Sequence, residues 1–170
     1  MGTPAFAETP ASAVAPLPAF NSVLALVEFD RAARDFLSPA SRSAIRMAAG
    51  LAGPGGVVTA LHVLPPQPRV MLGRAAPPQD GASAVARALE RLGRALAAER
   101  PGARVEARVS SGHVLDEIDR AVADVGAGLL VAGYQDRPGA FAEGFSFRAL
   151  LHRASCPVLV VRGSSAPWTP

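Results

Sequence analysis

Apolar and polar positions along this chain fall into blocks whose period keeps switching. Residues 23–27 and 57–63 are short apolar runs of strand length. Residues 129–131, ending in Ala132-Gly133, and residues 158–161 repeat that pattern, which suits strands buried on both faces. Residues 104–109 alternate instead, with Val105, Ala107 and Val109 on one side and Arg104, Glu106 and Arg108 on the other. That is the signature of an edge strand with one wet face.

Helical periods separate these runs. Ser38-Pro39 is a cap followed by a first-turn proline, and Ala44, Ile45, Ala48 and Leu51 then recur at helical spacing up to Gly53-Pro54-Gly55-Gly56. Residues 83–100 form the strongest helical pattern. Val85, Leu89, Leu92 and Leu96 line one face, and Arg87, Glu90, Arg91 and Arg94 fall away from it. A third helix follows Gly112, carries Leu115, Ile118, Val122 and Val125, and ends at Gly126. A fourth is opened by Gly144, carries Leu150, Leu151 and Ala154, and is broken at Ser155-Cys156-Pro157. Strands alternating with helices predict a doubly wound α/β domain with a five-stranded parallel sheet and helices on both faces. Residues 65–81 read as a proline-rich loop with no element of their own. Residues 1–20 form an Ala-, Pro- and Ser-rich leader, residues 21–163 the domain, and residues 164–170 a tail.

Composition narrows the function classes. Of 170 residues, 49% are hydrophobic and 18% charged, which fits one domain with a sizeable core. Seventeen basic against fourteen acidic residues leave a net charge of +3, too small and too scattered to argue for a nucleic-acid surface. The lone Cys156 allows no intrachain disulfide and no cysteine-based zinc site, and it suits a reducing cytoplasm. No apolar run approaches the roughly 20 residues needed to span a bilayer, and residues 1–20 lack the basic start of a secretory signal. His113 and His152 have no companions at metal-ligand spacing, and His62 reads as a packing residue at a strand end. No Ser-His-Asp or Cys-His set is legible, so no residues are assigned to catalysis.

The last third of the chain carries a family resemblance. An apolar strand ending at Gly133, a polar loop with Gly139, then Gly144, a short helix and Cys156-Pro157-Val158-Leu159-Val160-Val161 resemble the C-terminal half of a universal stress protein domain. That family shows Gly-x-x-Gly, a spacer, Gly-Ser/Thr and a closing Cys-Pro-Val strand, and the likeness runs from Ser22 to Arg162. The departures are specific. Asp136 stands at the second glycine, Phe145 stands where a phosphate-binding hydroxyl belongs, and the spacer is shorter.

The resemblance implies the strand order 3-2-1-4-5, with a crevice beyond the carboxyl ends of strands one and four, where the winding reverses. It implies an adenine nucleotide, ATP or AMP, at Glu28, the backbone at Val63, Gly133 and Gly144. With Asp136 and Phe145 in place, Arg137 is the cation left for the phosphates, so the loop either binds weakly or is a residual loop with no nucleotide. Glu28 stands where the family carries an Asp near the nucleotide; its alternative is a loop carboxylate paired with Arg31 or Arg34. Glycines matter in such a loop because a side chain blocks close approach of phosphate. The resemblance also implies a homodimer through the last strand, Val158, Leu159, Val160 and Val161, which the family order places at a sheet edge. A second likeness is confined to residues 23–61, whose strand, Leu37-Ser38-Pro39-Ala40-Ser41 and following strand resemble the start of an electron-transfer flavoprotein alpha subunit. It implies a flavoprotein partner with no nucleotide bound.

Overall fold

The computed structural model describes residues 20–30, 36–66, 70–71, 74–75, 81–99, 101–134 and 147–163. The chain order is β1 (Phe20–Leu26), α1 (Pro39–Leu51), β2 (Ala52–Leu64), β3 (Val70–Met71), β4 (Arg74–Ala75), α2 (Gly81–Glu99), β5 (Arg104–Ser111), α3 (Val114–Val125), β6 (Leu129–Tyr134), α4 (Phe147–Arg153) and β7 (Val158–Arg162). The main sheet runs β5-β2-β1-β6-β7, and every pairing in it is parallel. Counting only its own strands, that is the expected order 3-2-1-4-5.

Two apolar layers sandwich the sheet. Alternate side chains of β1 point to opposite faces. Val23 and Ala25 meet Ala44, Ile45 and Ala48 of α1 and Leu92 and Leu96 of α2 on one side. Leu24 and Leu26 meet Leu115, Ile118 and Val122 of α3 and Leu150 of α4 on the other. β1 is central, and residues 23–25 are fully buried, which is why its run is apolar without alternation.

The helix ends follow their local chemistry. Ser38 caps α1 through its Oγ, which accepts from Ser41 N at 3.2 Å, and Pro39 occupies the first turn. α3 ends on Gly126 at φ 58°, with Ala127 N donating to Val122 O and Gly126 N to Ala123 O, a Schellman ending. Arg153 at the end of α4 reaches Asp116 (2.9 Å) and Asp119 (2.5 Å) of α3 and fastens the two helices together.

Several expectations need correction. α1 stops at Leu51 as expected, but Gly53-Pro54-Gly55-Gly56 is an irregularity inside β2 and not a break before it: Phe20 pairs with Ala52, and Ser22 pairs with Val57. Gly55 there takes φ 80°, and a side chain on Gly56 would strike Phe20 O. Phe20, placed in the leader by composition, begins β1 and packs on the core. Residues 65–81 hold a small antiparallel pair, β3 and β4, where no element was expected. In α2 the buried face is Ala88, Leu92, Ala95 and Leu96, and Leu89 is exposed. Leu151 of α4 is likewise exposed, although its pattern put it inward.

Candidate functional site

β1 and β2 separate at their carboxyl ends, and the candidate site lies there. Their pairing ends at Leu26 with Leu61, followed by a last bond from Val27 N to Leu61 O at 2.9 Å. β2 continues to Leu64 alongside β5, whereas β1 turns away. In a parallel ladder the backbone groups of successive residues point to alternate sides. Leu61 O faces β1, and Leu64 O faces β5, where it accepts from Gly112 N at 3.0 Å. The N–H and C=O of Val63 therefore face the gap that β1 has left. A donor and an acceptor stand there side by side.

A cleft opens at this gap, lined by Leu26, Val27, Glu28, Leu61, His62, Val63, Val114 and Ile118. Its volume is about 30 Å³, room for a water or two. The walls are apolar apart from Glu28, the His62 segment and the strand-end backbone. This arrangement suits an aromatic ring read along one edge by main-chain groups. Val114 and Ile118, in the first turns of α3, form the wall that the sequence did not point to. The spacing of Gly112 before α3 was visible, but nothing in it brings that turn over the ends of β1 and β2.

Glu28 is held firmly from its backbone. Its N–H donates to Ser41 Oγ at 2.7 Å, and its C=O accepts from Ser38 N at 2.8 Å. The two serine hydroxyls are 2.9 Å apart, and both residues are buried. The start of α1 and the end of β1 thus share one hydrogen-bond network, closed further by Asp30 N donating to Phe36 O. Arg31 and Arg34, the alternative partners of Glu28, lie outside the described residues.

His62 and Phe29 brace the same corner from the opposite face of the sheet. His62 Nδ1 lies 3.0 Å from Val27 O. A carbonyl only accepts, so Nδ1 carries the proton. The rings of Phe29 and His62 meet edge to face at 4.8 Å, and the guanidinium of Arg91 lies 3.5 Å over the Phe29 ring. Burial holds the imidazole below its ordinary pKa against the opposing effect of the Val27 bond, and Arg91 adds repulsion. Arg91, expected to point away from the packed face of α2, is half-buried here.

The structure thus brings Glu28 and Val63 to one cleft. Gly133 is elsewhere, at the end of β6, where a Cβ would stand 2.4 Å from Ala40 O in α1. The start of α1 therefore occupies the space above β6, and the described cleft sits between strands one and two of the sheet. Arg137 and Gly144, with Asp136 and Phe145, lie outside the described residues. Val158, Leu159, Val160 and Val161 form the outer strand, paired on one side with β6, and Val160 is 41% exposed. Cys156 is partly buried, and burial raises its thiol pKa, which disfavours a thiolate. Among the described residues no three His, Cys, Asp or Glu side chains group to hold a metal, and no helix is long and apolar enough to cross a membrane.

Comparison with known proteins agrees with this fold. Solved structures with the same fold include a universal stress protein from Archaeoglobus fulgidus, with a TM-score of 0.58 and 23% identity over 82% of this chain and 97% of that one. A universal stress protein from the same organism in complex with dAMP gives 0.54 and 22%, over 82% and 96%. An Arabidopsis thaliana universal stress protein family member with AMP bound gives 0.54 and 19%, over 85% and 93%. No curated protein matches the chain. The profile of the universal stress protein family matches residues 32–162, and the chain belongs to that family.

Proposed function

We propose that this protein is a regulatory, ligand-binding module of the universal stress protein kind whose cleft takes an adenine nucleotide weakly. The observation that carries the reading is the unpaired edge of Val63 beside Glu28. Its N–H and C=O match the adjacent acceptor and donor on one edge of adenine, and the Glu28 carboxylate can accept from a ribose hydroxyl. Family members of the same fold have been solved with AMP and with dAMP.

Weak binding follows from the loop sequence. Phosphates would rely on the Arg137 side chain and the backbone at Gly144. Asp136 opposes them, since an unpaired carboxylate near a phosphate costs on the order of 1 kcal/mol or more. Isothermal titration with AMP and ATP tests this. Weak binding is expected in the natural protein, stronger binding in Asp136→Gly with Phe145→Ser, and none in Arg137→Ala. Tight ATP binding that survives Arg137→Ala would overturn this reading of the loop.

The same proposal includes a homodimer through β7. The outer edge of that strand has no partner among the described residues, and an apolar edge left open invites association. Val160 is exposed there, and α1 and α4, on the two faces of the sheet, expose Met47 and Leu151. Pairing of β7 with its copy across a two-fold axis would cover the edge. The lone Cys156 supports the cytoplasm as the location.

A further inference from the structure

We infer that His62, Phe29 and Arg91 form an acid-sensitive latch that holds the end of β1 in place beside the cleft. The functional consequence rests on the nucleotide reading above, but the latch itself does not.

The three groups come from β2, α2 and the segment after β1, and they meet on the α1 and α2 side of the sheet. His62 on β2 donates from Nδ1 to Val27 O at 3.0 Å, at the last residue before Glu28. Phe29, the next residue after Glu28, meets both the His62 ring, edge to face at 4.8 Å, and the Arg91 guanidinium. Glu28 is therefore fixed on both flanks by contacts that converge on one imidazole. His62 also precedes Val63, so both polar components of the cleft are sequence neighbours of the latch.

Charging the imidazole puts a second cation beside the Phe29 ring that already carries Arg91. Among the described residues, Arg91 is the charged group that acts on His62 through space. α2 presents Arg91, β5 presents uncharged Val109 at the paired position, and Glu28 and Asp30 flank Phe29 on the β1 loop. Arg91 repels an imidazolium, and burial penalises it further. Both penalties are relieved if the ring swings towards solvent. That movement breaks the bond to Val27 O and removes one side of the Phe29 grip. The stretch from Val27 to Phe29 is then held by the bond of Val27 N to Leu61 O and by the Glu28 backbone bonds to Ser38 and Ser41, and a tilt about them moves Glu28 relative to Val63. The result is a cleft that is formed at neutral pH and loosened in acid.

The free protein tests the latch by NMR. The His62 ring resonances and the backbone amides of residues 27–29 and 63 are followed from pH 7.5 downwards. The amide shifts should track the His62 titration with a common midpoint, and they should vanish in His62→Gln, which keeps a donor for Val27 O but cannot charge. His62 titrating without these amide shifts overturns the latch. So does persistence of the shifts in His62→Gln, or an imidazole that stays neutral down to acid unfolding. Binding is tested separately with adenosine, which lacks a titrating phosphate. Its affinity should fall as His62 charges, approaching tenfold per pH unit below the midpoint, and the fall should be absent in His62→Gln. Adenosine that fails to bind at pH 7.5 counts against the nucleotide reading and leaves the amide test to decide the latch.

Discussion

Gly133 and Ala40 are in such close contact that the first turn of α1 rests directly on the end of β6. The position of a Cβ on Gly133 is 2.4 Å from Ala40 O and 2.5 Å from Ala40 C. Those are backbone atoms of a capped helix, so they cannot rotate aside. Gly163 meets the same residue from β7's exit, with Ala40 N and Cα each 2.7 Å from its Cβ position. The family resemblance marks Gly133 as a ligand-loop glycine, but α1 demands a glycine there whether or not a ligand binds.

Gly133→Ala should therefore destabilise the fold by about 1–3 kcal/mol, the usual cost of overpacking, measured by urea denaturation. Gly50→Ala and Gly93→Ala provide the contrast. Both lie in helices with nothing within 4 Å of the added carbon. Each should stabilise by about 0.5–1 kcal/mol through helix propensity. Equal effects at Gly133 and Gly50 would contradict the contact.

The serine pair at the start of α1 makes a graded prediction. Ser38→Ala removes a helix cap and should cost about 1 kcal/mol. Ser41→Ala also leaves the partly buried N–H of Glu28 without its 2.7 Å acceptor. That loss should reach about 1–3 kcal/mol. Ser41→Ala should also increase hydrogen exchange at the Glu28 amide, which Ser38→Ala should change less.

His62 predicts the pH dependence of stability. Its folded pKa lies below the ordinary value of 6.5 because burial disfavours the cation. Above that value both folded and unfolded imidazoles are neutral, and the full stability is present. As pH falls through it, the unfolded chain binds the proton first, so stability declines towards the folded pKa by at most about 1.4 kcal/mol per pH unit. Denaturation midpoints between pH 7.5 and 5 should show this decline, and His62→Gln should flatten it.

The outer strand predicts assembly. Val160→Glu places a charge on the exposed edge of β7 and should give monomer or insoluble protein in sedimentation equilibrium. Natural protein that remains monomeric at high concentration with residues 1–19 and 164–170 removed would rule out pairing through β7.

The strands were legible as short apolar runs between helical stretches, whereas their order 3-2-1-4-5 came from the family resemblance. Ser38-Pro39 and Gly126 mark helix ends by geometry alone, and both do so in the structure. Phase errors arose where alanine flanks leucine. Leu89 and Ala88 are equally compatible with an apolar face by period, and only the depth of α2 on β5 selects Ala88. Glu28 and Val63 were legible through the resemblance, but Val114 and Ile118 were not, because their apposition depends on a crossover from β5. The grip of Arg91 on Phe29 was equally hidden. An arginine on an amphipathic helix reads as solvated unless its aromatic partner, far away in sequence, is already in place. The flavoprotein likeness stops at Leu61 and covers only β1, α1 and β2, elements with which a parallel nucleotide-binding sheet of either kind begins.

The most direct test of the central claim is an amide-resolved NMR titration of the natural protein with AMP at pH 7.5. Saturable shifts should concentrate at Val63, Glu28 and the first turn of α3 around Val114. Val114→Trp, which fills the cleft mouth, should abolish them. No shift at millimolar AMP, or saturable shifts elsewhere with these residues silent, would contradict the account.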